Sequence, residues 1–472
     1  MTSLRTSQAV GVIGAGTMGA GIAQLAAAAG HPVLLFDAWE GAAEKGRARI
    51  AAGLAGQVKR GKMTEDALAA LMARIAVAPT IDTLAEAALV IEAVIEDLDI
   101  KRTLFADLEK VVRPEAILAT NTSSISVTAI GRDLQWPGRL VGMHFFNPAP
   151  VMKLVEVVSG LATDPSVAAT IFDTATAWGK VAVHAKSTPG FIVNRVARPY
   201  YAEALRLCEE QVADPATLDA VMTEGAGFRM GPFALMDLIG NDVNLAVSQS
   251  VFSAFHMDPR FRPSNLQVEL VNAGRLGRKS GRGHFNYAEG AAQPAAATEA
   301  VDPNVVALTI PLDTQADLPG LRVMLTDGRT ARMLARDCGK PVIVTDLVAG
   351  QGVATRVAFA ASDDVPAPMI AAFVAALSAK GRTATRLPDW PGLVAMRTLA
   401  MLANEGFEAV MQGVANEAAV DAAMVWGVNY PKGPMGWARE IGLDRILSVL
   451  DHIHALTGDP RYRASLGLRL AC

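Results

Sequence analysis

Cysteine is scarce: only Cys208, Cys338 and Cys472 occur in 472 residues. An odd, scattered set of three offers no disulfide framework and no metal-ligand spacing, so no metal site is expected, and it suits a reducing compartment. Excess charge of one sign is also lacking. Forty-three Lys and Arg face 47 Asp and Glu, a formal net charge of −4. That leaves no electrostatic footprint for nucleic acid or for an anionic membrane. No signal peptide fits the opening MTSLRTSQ, which leads straight into a strand pattern, and a cytoplasmic protein is expected. Residues 9–36 lack charge altogether. Glycine at 11, 14, 16, 19, 21 and 30, an interrupting Pro32 and missing basic flanks argue against a membrane helix there. At 51% hydrophobic and 19% charged, the chain reads as globular, and its length suggests two to four domains.

What that uncharged stretch does contain is informative. An apolar strand, Val10 to Ile13, runs into Gly14-Ala15-Gly16-Thr17-Met18-Gly19. A small-residue helix follows, then a strand from Val33 to Phe36 that ends on Asp37. Strand, G-x-G-x-x-G, helix, strand and acid, in that order, form the dinucleotide-binding fingerprint. Gly14 permits the turn, Gly16 admits the pyrophosphate, and Gly19 lets helix and strand pack closely. Asp37 suits the ribose hydroxyls and repels a 2′-phosphate, so NAD is the expected cofactor.

From residue 8 to about 185, apolar runs alternate with helical patterns, as in a doubly wound sheet. Further strands are expected within 88–97, 116–124, 139–148, 153–160 and 180–186. Pro189-Gly190 breaks the pattern, and helices follow to residue 287. Residues 288–303 read as a linker, although the Ala-rich runs 23–29, 290–300 and 369–375 also have helical composition. Residues 304–385 read as a small α/β unit without a glycine loop. The expected domains are therefore an α/β Rossmann fold with a mostly parallel sheet (1–186), an all-α domain (187–287), a linker with a degenerate α/β unit (288–385) and a second all-α domain (386–472).

The last assignment rests on an internal repeat. Residues 402–437 parallel 200–235 at an offset of 202: Glu203 matches Glu405, Asp219 matches Asp421, and Gly231-Pro232 match Gly433-Pro434. Asp258-Pro259-Arg260-Phe261-Arg262 then matches Asp459-Pro460-Arg461-Tyr462-Arg463 at an offset of 201.

A dehydrogenase needs a base for the hydroxyl proton, and histidine suits that role near neutral pH. Of seven histidines, His144 is the one expected at the carboxyl end of a strand of the nucleotide fold, where ligands bind. Glu156 follows twelve residues later in the next strand. A turn through Asn147-Pro148-Ala149-Pro150 returns it beside His144, where a carboxylate would orient the imidazole. Ser123 and Asn194 are then candidates to hydrogen-bond the substrate oxygen.

Four segments, GVIGAGTMGAGIAQ, ATNTSSI, GMHFFNPAPVMKLVEVV and TPGFIVNR, together resemble the L-3-hydroxyacyl-CoA dehydrogenases over residues 8 to about 287. The resemblance implies a catalytic pair at His144 and Glu156, with substrate contacts at Ser123 and Asn194. It implies cofactor contacts at Glu96, Lys101, Ser123, Asn147 and Lys279. It implies reversible NAD-dependent oxidation of a (3S)-hydroxyacyl-CoA to a 3-ketoacyl-CoA. The family's serine and lysine near the CoA phosphates align with Gly53 and Arg60 here, leaving Lys59, Arg60 and Lys62 as a basic cluster for CoA. The second half resembles longer bacterial members with two helical domains, whose pairing within one chain would replace a partner subunit; a homo-oligomer stays open. Such long forms resemble dehydrogenases of 3-hydroxyadipyl-CoA in phenylacetate catabolism, and equally of 3-hydroxybutyryl-CoA. Arg198 and Arg229 are candidate counter-cations for a distal carboxylate, against a plain helix-surface reading. Two rival readings are a β-hydroxyacid dehydrogenase of the 6-phosphogluconate type, acting on a non-CoA substrate, and a non-enzymatic NAD-binding sensor.

Overall fold

A computed structural model describes residues 3–310, 316–349 and 354–472. The chain divides into two compact units: residues 1–194 with 413–428, and residues 195–412 with 429–472.

The first unit is built on eight strands: β1 (Val10–Ile13), β2 (Val33–Phe36), β3 (Ile75–Val77), β4 (Leu89–Glu92), β5 (Ile117–Thr120), β6 (Leu140–Phe145), β7 (Leu154–Ser159) and β8 (Val181–Lys186). Their order is β3-β2-β1-β4-β5-β6-β7-β8. Every pairing is parallel except β6 with β7. The residues of β1, β4, β5 and β6 are buried throughout, as central strands of a covered parallel sheet must be. The uncharged stretch folds as β1, the helix Thr17–Ala28 and β2. No helix among the described residues is long and apolar enough to cross a membrane. Only β3, three residues long, lacked a periodic signal.

The second unit holds two sets of helices and a five-stranded sheet: β9 (Ala316–Leu318), β10 (Leu321–Leu325), β11 (Val342–Thr345), β12 (Arg356–Ala361) and β13 (Thr383–Arg386), in the order β13-β12-β11-β10-β9. The steps from β10 to β13 are parallel, antiparallel, parallel. The steps from β5 to β8 follow the same sequence. An offset of 202 carries β7 onto β12 and the helix Pro165–Ala177 onto Ala367–Ser378, trimmed by one residue. The repeat thus reaches back through half of the nucleotide fold. It was hidden in the strands, where one apolar residue replaces another freely.

This partial copy has no counterpart of the glycine loop, and it has exchanged the polar residues. The offset places Asp346 at the position of His144, Ala358 at that of Glu156 and Met396 at that of Asn194. Asp346 is buried and accepts hydrogen bonds from the backbone N–H groups of Leu347, Val394, Ala395 and Met396. Burial pushes its carboxyl up to about 6, and the four N–H donors pull against that. Between pH 4 and 6 the folded chain therefore keeps a proton that the unfolded chain releases, so stability from this group is lost as pH rises through that window. Asp346→Asn removes that slope. Melting temperatures of wild type and variant, followed across the window, are expected to converge or cross with rising acidity in favour of wild type; parallel curves would contradict the assignment.

The two helical sets exchange reciprocal ion pairs. Arg195 Nε meets Glu405 at 2.5 Å, and Arg397 Nε meets Glu203 at 2.8 Å. Arg195 Nη1 donates to Gln412, and Arg397 Nη1 to Glu210. Each pair maps onto the other at offset 202, which is how a two-fold interface is built between identical subunits.

One compositional expectation fails. Residues 291–300 form no helix. Pro294 interrupts the run, and the extended chain is pinned instead: Ala297 N–H donates to Thr217, while Arg356 and Thr385 donate to the Ala297 carbonyl.

Candidate functional site

The glycine loop has the shape its sequence demands. Gly14 has φ +93°, and a Cβ there would lie 2.5 Å from the Ala93 carbonyl oxygen. A Cβ on Gly19 would lie 1.7 Å from the Gly14 oxygen. At Gly16 nothing stands within 4 Å, and this residue starts the helix Thr17–Ala28 with no side-chain cap. Gly16 and Thr17 are exposed and Met18 is half-buried. Open space before uncapped helical N–H groups fits a pyrophosphate. Asp37, at the end of β2, accepts from Ala15 N–H at 2.6 Å and from Trp39 N–H at 3.0 Å, which fixes its carboxylate beside the loop.

His144 and Glu156 are register partners across the antiparallel β6–β7 pair. His144 Nδ1 lies 2.6 Å from Glu156 Oε2. Glu156 is 1% exposed, and its Oε1 accepts from the N–H groups of Ile192 and Val193, both at 3.0 Å. One carboxylate therefore orients the imidazole with one oxygen and holds the segment leading into Asn194 with the other. The Asn194 amide donates to the Ser123 carbonyl at 3.4 Å. The structure thus links Ser123 with Asn194, and His144 with Glu156.

Glu96 gathers the turn after β5. It accepts from Thr122 Oγ1, from the N–H groups of Ser123 and Ser124, and from both of their hydroxyls. Burial raises its carboxyl, but these donors and the Lys101 ammonium outweigh that and hold it below the usual range. Lys101 is 1% exposed and sits 2.5 Å from Glu92 and 3.3 Å from Glu96. Asn147 is exposed in the loop after β6.

Other expected residues stand elsewhere. Lys59 and Arg60 are exposed where the helix Ala42–Lys59 ends. Lys279 belongs to the second unit and pairs with Asp242 at 2.6 Å. Arg229 is exposed, but Arg198 is buried, so the helix-surface reading of Arg198 is wrong.

Three residues escaped the sequence reading. Asn121 accepts from Phe145 N–H and so joins β5 to the end of β6. Glu92, fully buried, collects Lys101, Thr120 and Val94 N–H. An acid closing an apolar strand was its signal. Lys180 donates to the Ala149 and Met152 carbonyls at 2.6 and 2.7 Å, clamping the turn that returns β6 to β7. Burial and nearby Lys153 push its ammonium down to about 8.

Comparison with known proteins places this geometry. The model of the 3-hydroxyacyl-CoA dehydrogenase NAD-binding domain matches residues 9–188. The model of that family's C-terminal domain matches twice, at 190–287 and 392–471. A 3-hydroxybutyryl-CoA dehydrogenase reduced Rossmann-fold domain matches 323–391. The chain is 46% identical to the 3-hydroxyadipyl-CoA dehydrogenase of Escherichia coli, over 98% of this chain and 97% of that protein. It is 43% identical to a probable 3-hydroxybutyryl-CoA dehydrogenase of Bacillus subtilis, over 59% of this chain and 96% of that one. A crystal structure described as 3-hydroxybutyryl-CoA dehydrogenase from Escherichia coli superposes with TM-score 0.94 at 44% identity, covering 99% of this chain and 98% of the other. With the glycine loop, the acid-steered histidine and the twice-matched helical domain in one chain, the protein belongs to the 3-hydroxyacyl-CoA dehydrogenase family.

Proposed function

We propose that His144 is the proton acceptor of this NAD-dependent 3-hydroxyacyl-CoA dehydrogenase, steered by Glu156. The carrying observation is the 2.6 Å contact between His144 Nδ1 and a buried carboxylate. With Nδ1–H donated to Glu156, Nε2 keeps its lone pair and takes the proton of the 3-hydroxyl group. Glu156 then stabilises the imidazolium. NAD, when bound, supplies the ring that accepts the hydride. Ser123 and Asn194 hold the substrate oxygen; their link at 3.4 Å is long enough to give way to it.

Gly14, Gly16, Thr17, Met18 and Gly19 cradle the pyrophosphate, and Asp37 takes the ribose. Glu96 and Asn147 serve the nicotinamide side. Lys101, buried against Glu92, acts through Glu96 as a positioning residue. Lys279 remains a cofactor contact by family resemblance alone. Lys59 and Arg60 offer cations to the CoA phosphates. Trp39 follows Asp37 directly and is 79% exposed. A bare indole beside the ribose acid suits stacking on adenine, so Trp39→Ala is expected to weaken NADH binding about tenfold. Titration of the cofactor-sensitised fluorescence checks this; unchanged affinity removes Trp39 from the site.

For the acyl group we favour 3-hydroxyadipyl-CoA, the substrate named for a relative similar along the whole chain. A panel of 3-ketoacyl-CoAs, one ending in a carboxylate, decides it. The expected kcat/KM is at least tenfold higher for the carboxylate-ended member; a preference for 3-ketobutyryl-CoA would favour the second reading. The non-CoA and sensor readings lose their ground with the family assignment. The second helical copy, we propose, stands in for a partner subunit in a cytoplasmic enzyme. The domain organisation of 1–186, 187–287, 288–385 and 386–472 follows that reading.

A further inference from the structure

Glu156 owes its burial to more than the nucleotide fold. Side chains alternate along β7, so Val155 and Val157 enter the core beneath the helix Pro165–Ala177, while Leu154, Glu156 and Val158 face the other way. That other face is covered by a helix of the second helical copy, Glu417–Val428. Its buried residues, Val420, Ala423, Met424 and Gly427, have the spacing of one helix face. At the end of β8 the Lys186 N–H donates to the Val414 carbonyl at 2.9 Å and ties the approach to this helix to the sheet.

The closest approach is at Gly427. A Cβ there would stand 2.6 Å from Leu154 Cδ2 and 3.1 Å from Val193 Cγ2, where carbons settle at about 3.5–4.0 Å. Glycine inside a helix is disfavoured against alanine, and this contact is the reason for it here. Both neighbours bear on the acid. Leu154 shares its face of β7, and the Val193 N–H is one of the two backbone donors to Glu156 Oε1. The helix therefore presses on the strand that carries Glu156 and on the segment that Glu156 holds.

The other half of the repeat lacks this arrangement. Gly225 lies against β12, with its Cβ position 3.4 Å from the Arg356 carbonyl oxygen. Arg356 stands in the place of Leu154 and pairs with Glu224 at 3.0 Å, and Ala358 stands in the place of Glu156. A strand without the acid accepts an ion pair and a looser helix. The strand with the acid has an apolar cover, which brings no cation to compete with His144 for the carboxylate and keeps water from the pair.

We propose that Gly427 is a positioning residue for the reaction, and that the helix Glu417–Val428 holds Glu156 against His144 through Leu154 and Val193. The second helical copy then sets the rate as well as filling a partner's place. This rests on the reading of His144 and Glu156 as the reacting pair.

Gly427→Ala supplies the missing Cβ, and Gly427→Val extends it. The full chain is assayed with 3-hydroxybutyryl-CoA and NAD. A misplacement of about 1 Å costs about 10²-fold, so kcat is expected to fall at least about tenfold for alanine and further for valine, with KM for NAD unchanged. Leu154→Val deletes Cδ2 and is expected to restore the rate in the Gly427→Ala background. Wild-type kcat in Gly427→Ala, a loss that Leu154→Val leaves in place, or a loss confined to KM for NAD would each overturn the proposal. A His144→Gln control separates the failures. An inactive control beside a fully active Gly427→Ala overturns this proposal alone, and an active control overturns the reading it rests on together with it.

Discussion

His144→Gln is expected to lower kcat by about 10²–10⁴-fold, the usual contribution of a positioned general base, while NADH binding stays unchanged. The separation follows from the geometry. His144 sits at the end of β6 against Glu156, whereas the glycine loop and Asp37 close β1 and β2. Nothing in the loop depends on the imidazole. Glutamine preserves a polar side chain of similar size but offers no basic nitrogen. Steady-state turnover beside a fluorescence titration with NADH reads both quantities on one preparation. Normal turnover would remove His144 from the chemistry, and lost NADH binding would make its role structural.

Glu203→Ala is expected to cost about 3–5 kcal/mol of stability, because it leaves a buried cation without its counter-charge. Glu203 is fully buried and receives Arg397 Nε, Arg206 and the Tyr462 hydroxyl. Arg397 keeps Glu210, so the buried cation that loses its acid is Arg206. Its counterpart Glu405 serves Arg195 and Arg260 in the same manner. A chain ending at residue 287 loses Glu405 and Gln412 together and leaves Arg195 without either. Such a truncation is expected to aggregate or self-associate. Denaturant unfolding measures the first effect and light scattering the second. A truncated chain that is soluble, monomeric and fully active would show that the second copy replaces no partner.

The nucleotide fold was legible because its signals are local. A glycine loop between two apolar strands, an acid after the second, and strands ending in polar turns each occupy a few adjacent residues. The His144–Glu156 pair was legible for a related reason: a short turn fixes an antiparallel register, and the partner of a strand-end histidine can be counted. Lys180 was not legible. Its partners are carbonyls 28 and 31 residues away, and backbone acceptors leave no mark in sequence. The extended repeat was missed for the opposite reason. Strands β11 and β12 preserve the pattern of β6 and β7 with one identity, Val155 to Val357, while Asp346 stands in the place of a histidine. There one acid assumes the capping that Glu156 performs, and the chemistry is gone although the fold persists.

Glu156→Gln tests the central claim most directly. Glutamine keeps an oxygen for the Ile192 and Val193 N–H groups, so the fold survives. It also places an amide donor against His144 Nδ1, which reverses the tautomer and puts a proton on Nε2, where the base must be empty. In single-turnover stopped flow, hydride transfer from a 3-hydroxyacyl-CoA to NAD is predicted to slow by about 10²–10⁴-fold, with melting temperature and NADH affinity unchanged. Hydride transfer at the wild-type rate in a folded Glu156→Gln enzyme would contradict the account.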